Sequence, residues 1–220
     1  MHEEVKPESR RTYRSALREE GARRTRRAVV AAAGELFTTR GYAATSLADV
    51  AMAAGVARPT VFAVFGSKAA LLRQVLDEAL SGDDAPVPVA ERPWFRPVWE
   101  AQDAAAVLDA YAGVCARIGS RASAVFEAVR RAADSAPEAR ELWETLQRNR
   151  LAGARMVLDH LVGVGWLRAG LHAERAVEIL WFYNDPAHHA ALVTQQGWSH
   201  EEFRAWLAAQ MTAALLGTAP

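Results

Sequence analysis

Two short apolar segments, separated by only Ala54-Gly55-Val56, place the strongest constraint on the fold of this chain. The first segment follows Ser46, and the second covers residues 58–65. A third, amphipathic segment precedes both, at residues 25–39. Glycine at the junction permits a sharp turn, because it has no Cβ to clash at positive φ. This spacing predicts a helix-turn-helix, the motif that holds one short helix in the major groove of DNA.

Local patterns predict where each helix of this segment begins and ends. Ser46 and Asp49 are spaced as a capping box for the second helix, and Pro59 suits the first turn of the third. Arg40-Gly41 ends the first helix, and Ser67 caps a fourth helix at residues 68–80. Apolar side chains recur on one face of each helix. Those predicted to be buried are Val29, Ala33, Leu36, Phe37, Leu47, Val50, Ala51, Ala54, Val61, Val64, Phe65, Leu71, Leu72 and Val75.

The remainder of the chain favours further helices and no sheet, because no stretch alternates apolar and polar residues with a period of two. Residues 81–97 contain four prolines and predict an irregular linker. Predicted helices cover residues 102–118, 122–133, 137–163, 173–183, 187–195 and 199–216, with one of the breaks at Gly119. The predicted fold class is therefore all-α. Its predicted parts are a flexible basic arm (1–22), a helix-turn-helix domain (23–80) and a larger helical domain (81–220).

Charge is distributed unevenly along a chain whose net charge is zero. Residues 1–80 hold 13 basic and 9 acidic side chains, and residues 81–220 hold 13 and 17. The basic excess includes the cluster Arg23, Arg24, Arg26 and Arg27, directly before the helix-turn-helix. The single cysteine, Cys115, forms no internal disulfide, no apolar run is long enough to span a bilayer, and the charged N-terminus lacks an apolar signal segment. These features predict a cytoplasmic protein that does not act at a membrane.

The N-terminal pattern resembles the TetR family of bacterial transcriptional regulators. The residues that carry the resemblance are Ala32-Ala33, Leu36-Phe37, Gly41-Tyr42, Thr45-Ser46, Val50-Ala51, Ala54-Gly55-Val56, Thr60-Val61-Phe62, Phe65, Ser67-Lys68 and Leu71-Leu72. Gly197-Trp198-Ser199 with Trp206-Leu207 is also similar to C-terminal segments of some members. The resemblance implies an N-terminal head that binds double-stranded DNA. It also implies a helical C-terminal domain that forms a homodimer and usually binds a small effector.

The leading residues of the third helix are the candidates for reading bases. Arg58 is the long donor suited to guanine, Pro59 is placed to touch a thymine methyl, and Thr60 reaches a base or a phosphate. Phe62 and Ala63 complete the predicted exposed face. Phosphate contacts are predicted for Thr45, Ser46 and Lys68.

Three positions depart from the family pattern and weaken the predicted grip on phosphate. Ala57 replaces a capping Ser or Thr, Phe62 replaces a Tyr, and Val64 replaces a polar residue that is often His. The N-terminal arginines are a hypothetical compensation, reaching along the backbone or into the minor groove.

Aromatic and soft apolar residues in the second domain suggest an effector site for an apolar or aromatic compound. The candidates are Tyr111, Cys115, Phe126, Trp143, Met156, His160 and Trp181. A second apolar set, near the C-terminus, predicts a four-helix dimer interface. Its members are Ile179, Leu180, Phe182, Tyr183, Phe203, Trp206, Leu207, Met211, Leu215 and Leu216.

The sequence favours a ligand-responsive repressor that binds a palindromic operator as a homodimer, with no metal, no cofactor and no catalytic site. His188-His189 lacks the further ligands of a metal site, so both histidines are predicted to be solvated. Two alternatives stay open. In one, the second domain binds a protein partner; in the other, the chain is a helical enzyme that has lost DNA binding.

Overall fold

The computed structural model describes the backbone of residues 7–216 and the side chains of residues 19–216. Ten α-helices lie in this part of the chain, and no strand does, so the all-α prediction is confirmed. The helices are α1 Pro7–Thr39, α2 Leu47–Ala53, α3 Arg58–Phe65, α4 Lys68–Ser81, α5 Arg96–Glu100, α6 Ala104–Ala133, α7 Pro137–Val164, α8 Ala173–Tyr183, α9 Pro186–His189 and α10 His200–Leu215. A 3₁₀ turn covers Val89–Glu91, and a π-helical segment covers Ala190–Gln195.

The chain divides into two compact units after Val75, within α4. The first unit packs α1, α2, α3 and the first part of α4 around a core that includes Phe37, Val50, Val61 and Leu72. These side chains lie on the apolar faces that the sequence predicts. Within residues 7–216, no single helix is both long and apolar enough to cross a membrane.

Helix α1 begins much earlier than the sequence pattern predicts. Residues 7–22, predicted as part of a flexible arm, are helical, while residues 1–6 of that arm lie outside the described residues. The segment lacks an apolar face, but it is rich in Arg and Glu, which have high helix propensity. A search for apolar periodicity misses a helix of this kind.

The second unit is built around the 30-residue helix α6, which packs against α7, α9 and α10. The predicted break at Gly119 is wrong, because α6 runs through it without interruption. A Cβ added at Gly119 would lie 2.5 Å from the Cβ of His189 on α9. Glycine at this position therefore permits two helices to approach closely, and it does not end one.

The proline-rich segment before α5 is ordered by a buried arginine. Arg92 is 4% exposed, and its guanidinium donates to both carboxylate oxygens of Asp83, at 2.6 and 2.7 Å. It also donates to the carbonyl oxygens of Ala85 (2.8 Å) and Val87 (3.0 Å). Because the Arg92 guanidinium binds two loop carbonyls and one carboxylate at once, this connection keeps a defined path despite its prolines.

Candidate nucleic-acid interface

Helices α2 and α3 form a helix-turn-helix. Their axes turn through 113° across the connection, within the range of about 90–120° that is typical of this motif. Gly55 has a φ of +67°, which glycine adopts without strain, and the N–H of Val56 closes the turn on the carbonyl of Ala51 at 3.0 Å. The predicted motif is confirmed.

The start of α2 is fixed by the predicted capping box. The N–H of Asp49 donates to Ser46 Oγ (3.1 Å), while the Asp49 carboxylate accepts from Ser46 N (2.8 Å) and from Ser46 Oγ (2.6 Å). These bonds to the side chain and backbone of Ser46 hold the pKa of Asp49 below its ordinary value. The Ser46 hydroxyl therefore donates to Asp49, whereas the sequence analysis predicts a contact between Ser46 and a DNA phosphate.

The candidate recognition helix α3 begins without a side-chain cap, because Ala57 stands at the N-cap position. Pro59 occupies its first turn, and the N–H of Thr60 donates to the carbonyl of Ala57 at 2.9 Å. The helix therefore relies on backbone bonds and on packing for its position.

Only Val61 and Phe65 anchor α3 to the core, where they are 0% and 8% exposed. Val64 is 40% exposed, so its prediction as a core residue is wrong. On an eight-residue helix the buried stripe holds just these two side chains, and Val64 lies outside it.

The rest of the α3 surface is accessible, as the sequence predicts. Arg58, Pro59, Phe62 and Ala63 are exposed, and Thr60 is half-buried. Phe62 is 63% exposed, an unusual position for a phenylalanine in a unit that has its own packed core. This face offers one long cationic side chain, one hydroxyl and several apolar groups.

Two predicted phosphate contacts are occupied within the domain. Lys68 Nζ donates to the carbonyl oxygens of Tyr42 (2.9 Å) and Thr45 (3.1 Å), and it lies 4.1 Å from the centre of the Tyr42 ring. Thr45 is 2% exposed, and its hydroxyl donates to the carbonyl of Gly41 at 2.9 Å. Both residues thus tie down the segment between α1 and α2, and the Thr45 hydroxyl is not presented to DNA.

Arg26 has a structural role that sequence reasoning missed. Its guanidinium donates to Gln74 Oε1 at 2.7 Å and lies 4.9 Å from the centre of the Phe65 ring. It therefore links α1 to α3 and α4. Arg26 lies one turn before Val29, on the apolar face of α1. This position distinguishes it from the other arginines of the cluster and could have indicated its contacts within the domain.

In the second unit, five of the predicted effector residues lie around a side chain that the sequence analysis did not single out. Arg150 of α7 lies 5.5 Å from the centre of the Phe126 ring and 5.1 Å from that of Trp181. The Phe126 ring meets Trp143 edge-on at 5.3 Å. Tyr111 and Cys115 are buried nearby, and burial raises the pKa of the Cys115 thiol to about 12.

Arg150 joins α7 to the end of α8 through several acceptors. Its donors reach Asn184 Oδ1 (3.0 Å), Gln147 Oε1 (2.7 Å) and the carbonyl of Trp181 (2.8 Å), and it pairs with Asp185 at 3.1 Å. Burial lowers its pKa from the ordinary value of an arginine. Asn184 in turn donates to the Tyr111 hydroxyl at 3.0 Å, so this network reaches α6.

The two other predicted effector residues lie elsewhere. Met156 is 44% exposed on α7, and its role in effector binding stays a prediction. His160 packs edge-on against Trp99 of α5 at 5.5 Å, and its Nε2 is buried without a partner among the described residues. The apolar periodicity of α7 alone does not show that Met156 is exposed while His160 contacts α5.

The predicted dimer residues divide into buried and accessible ones. Phe203, Leu207 and Met211 of α10 are at most 1% exposed in the single chain, so they build its core and are not available to a partner. Phe182 is 55% exposed, and Ile179, Tyr183 and Trp206 are half-buried. An open groove between α8 and α10 is lined by Arg175, Glu178, Ile179, Phe182, Tyr183 and Ala214.

The adjacent histidines are less solvated than predicted. His189 is 4% exposed, and its Nε2 lies 3.0 Å from His200 Nδ1. Burial, and then the neighbouring His200, lower the pKa of His189. Among residues 19–216, no group of three or more His, Cys, Asp or Glu side chains is arranged to hold a metal ion.

Residues 29–75 match the family model described as "Bacterial regulatory proteins, tetR family". This span covers the end of α1, all of α2 and α3 and the first part of α4, which are the elements of the helix-turn-helix. No curated protein matches the sequence.

Solved structures of transcriptional regulators have similar folds. NalD of Pseudomonas aeruginosa, "the secondary repressor of MexAB-OprM multidrug efflux pump", is 20% identical, with a TM-score of 0.64 over 89% of this chain and 98% of that one. A SmeT–triclosan complex is 20% identical, with a TM-score of 0.66 over 89% and 95%. A putative regulator from Saccharomonospora viridis, in complex with choline, is 19% identical, with a TM-score of 0.63 over 86% and 96%. At these identities the likeness concerns the fold.

Proposed function

We propose that this chain is a DNA-binding transcriptional regulator, and more specifically a ligand-responsive repressor. The match of residues 29–75 to the family model of bacterial regulatory proteins supports this proposal. It binds a palindromic operator as a homodimer in the cytoplasm, and it carries out no catalysis. The observation that carries this proposal is the exposed face of α3, held at 113° to α2.

The chemistry of α3 supports readout in the major groove. Arg58 is exposed at the first turn, where a recognition helix meets base edges, and a bidentate contact to guanine contributes about 1–3 kcal/mol of discrimination. A two-fold axis places two such helices about one turn of DNA apart, or a multiple of it.

Operator selection from random duplexes tests this proposal. We expect the full chain to enrich a palindrome, with an affinity that falls steeply as salt rises. Replacing Arg58 with Ala is expected to weaken operator binding by about 1–3 kcal/mol for each half-site and to relax the preference at one guanine of each half-site. Arg73→Ala, which removes another exposed arginine, from α4, is the matched control and keeps the guanine preference.

If no duplex is enriched at any salt concentration, the DNA-binding proposal fails and the enzyme alternative gains support. The basic N-terminal segment is a separate part of the proposal. A chain that lacks residues 1–22 is expected to bind the operator more weakly and with a shallower salt slope, because fewer phosphates are neutralised.

We further propose that the second unit binds a small apolar or aromatic effector beside Phe126, Trp143 and Trp181. Large aromatic faces with a few polar groups, here Arg150 and the Tyr111 hydroxyl, are typical of ligand sites. Two proteins of similar fold have been solved in complexes with triclosan and with choline, which supports small-molecule binding by a chain of this fold. Binding shifts the dimer towards a state that cannot engage the operator, by as much as the ligand prefers that state.

Thermal unfolding with triclosan and with choline is a first test of the effector site. A true ligand at one hundred times its Kd stabilises the chain by about 2.7 kcal/mol, which raises the melting temperature. Trp181→Phe should weaken that effect, whereas Trp166→Phe, at an 87% exposed position, should not. If no probe of a broader aromatic set raises the melting temperature, a protein-interaction role for this unit is the better account.

The homodimer uses the accessible residues of α8 and α10. Phe182→Glu places a charge in the groove and is expected to shift sedimentation towards the monomer. Met156→Glu, at a similarly exposed position on α7, is the matched control. A Phe182→Glu chain that sediments like the unaltered protein would contradict this interface.

A further inference from the structure

The outward face of α3 is more apolar than a solvated surface requires. Met52 on α2 is 75% exposed, and Phe62 and Val64 on α3 are 63% and 40% exposed. Pro59 and Ala63 are exposed too, and since they are four residues apart they project from the same side of α3. An apolar strip therefore runs along the helix that faces the bases in the proposed complex.

The residue types on α3 limit which bases it can read directly. Adenine is read by Asn or Gln, and cytosine by Asp or Glu, but residues 58–65 contain none of these. Guanine is read most often by Arg or Lys, and Arg58 is the one such residue on this helix, where Thr60 adds only a short hydroxyl. Thymine differs from the other bases by its C5 methyl group, which is recognised by apolar contact.

We infer that α3 reads its operator mainly through thymine methyl groups, which pack against Pro59, Phe62 and Ala63, while Arg58 fixes a single guanine in each half-site. This inference rests on the proposed DNA-binding function. Phe62 supports it directly, because its ring lacks a hydroxyl for a phosphate and leaves 63% of its surface without a partner in the folded chain. Covering that ring with a methyl group removes apolar surface from water on both sides.

Uracil substitution isolates the methyl group, because uracil pairs like thymine and lacks only the C5 methyl. Binding of the full chain is measured on the selected operator and on matched duplexes that carry uracil at one thymine, either in one half-site or in both. Removing one contacted methyl is expected to weaken binding about fourfold, which corresponds to about 0.8 kcal/mol. Replacement in both half-sites then weakens it about 15-fold if the two act independently. Uracil outside the recognised palindrome serves as the control and changes nothing.

Phe62→Ala identifies the protein side of the contact. This variant should lose its sensitivity to uracil at one thymine position while keeping its preference for guanine, because the two contacts use different side chains. Trp166→Ala, which also removes an exposed aromatic ring, should keep the full uracil effect. Unchanged melting temperatures show that both variants are folded.

The outcomes separate the inference from the proposed function. If the protein selects an operator but binds thymine and uracil duplexes equally at every position, methyl readout is overturned and the regulator proposal stands. If the uracil effect persists undiminished in Phe62→Ala at each thymine, the assignment to Phe62 is overturned. If no duplex is selected, both the proposed function and this inference fall.

Discussion

The two helices of the helix-turn-helix begin with different caps, and this difference predicts unequal effects of reciprocal substitutions. Ser46→Ala removes the acceptor of the Asp49 N–H at the start of α2. Loss of a Ser cap costs about 1 kcal/mol, within a range of about 0.5–2 kcal/mol. The Asp49 carboxylate keeps its bond from the backbone of residue 46, so we expect a cost near the middle of that range.

Ala57→Ser adds a hydroxyl at the start of α3, but neither the second nor the third residue of this helix has an unbonded N–H from which that hydroxyl could accept. A cap accepts from the second or third N–H of the helix. The second residue is Pro59, which has no N–H, and the third, Thr60, already donates to the carbonyl of residue 57 at 2.9 Å. The new hydroxyl would share one N–H that is already bonded, so the expected gain is at most about 0.5 kcal/mol.

Native-state amide exchange of the full chain measures both effects in place. A change of about 1 kcal/mol alters protection about fivefold. We expect Ser46→Ala to reduce protection in α2 by about that factor and Ala57→Ser to raise it in α3 by less than about 2.5-fold. Ser199→Ala removes the equivalent box from α10 and should lower protection there while leaving α2 unchanged. A fivefold gain in the amide protection of α3 from Ala57→Ser would refute the argument that the Thr60 N–H is already bonded.

Three further predictions concern the second unit. Arg150→Met should lower the free energy of unfolding by about 3 kcal/mol, because it leaves Asp185 and three hydrogen-bond acceptors without their donor. Denaturant titration measures this change, and an unaltered free energy of unfolding would contradict the prediction. Gly119→Ala should lower the free energy of unfolding by about 1–3 kcal/mol, because the added methyl group meets His189. Gly153→Ala has open space around its Cβ and should raise that free energy by up to about 1 kcal/mol. Equal effects of the two substitutions would be inconsistent with close packing at residue 119. Burial lowers the pKa of His189 in the folded chain, so the unfolded chain binds more protons in mild acid, and stability should fall as the pH drops through about 6.5. His189→Gln should flatten that dependence, and an unchanged slope would argue against it.

Sequence patterns predicted those parts of the fold that depend on neighbouring residues. The limits of α3 agree with the prediction because Pro59 suits its first turn and Gly66, at positive φ, follows its last residue. The capping box at Ser46 and the turn at Gly55 are local in the same way. These features also determine the candidate recognition surface, so the exposed face of α3 was accessible to sequence reasoning.

The features that sequence reasoning missed depend on distant partners. The sequence around Arg92 and Arg150 gives no local sign of their structural roles, and that around Arg26 gives only its place on the apolar face of α1, yet each is held by acceptors or aromatic rings, most of them from other elements. Gly119 resembles a helix break until the facing His189 is known. An excess of apolar residues on α10 likewise does not reveal whether a second copy or the chain itself covers them, since both remove the same surface from water.

The buried row along α10 has a consequence for how the protein would respond to its own abundance. Phe203, Leu207, Met211 and Leu215 complete the interior of one chain, so separating the subunits of the proposed homodimer exposes none of this row to water. We therefore expect dilution to separate the subunits while α10 keeps its packing. If that dimer is the form that binds a palindrome, its occupancy rises with roughly the square of protein concentration in the range where monomers predominate, and modest changes in expression are amplified.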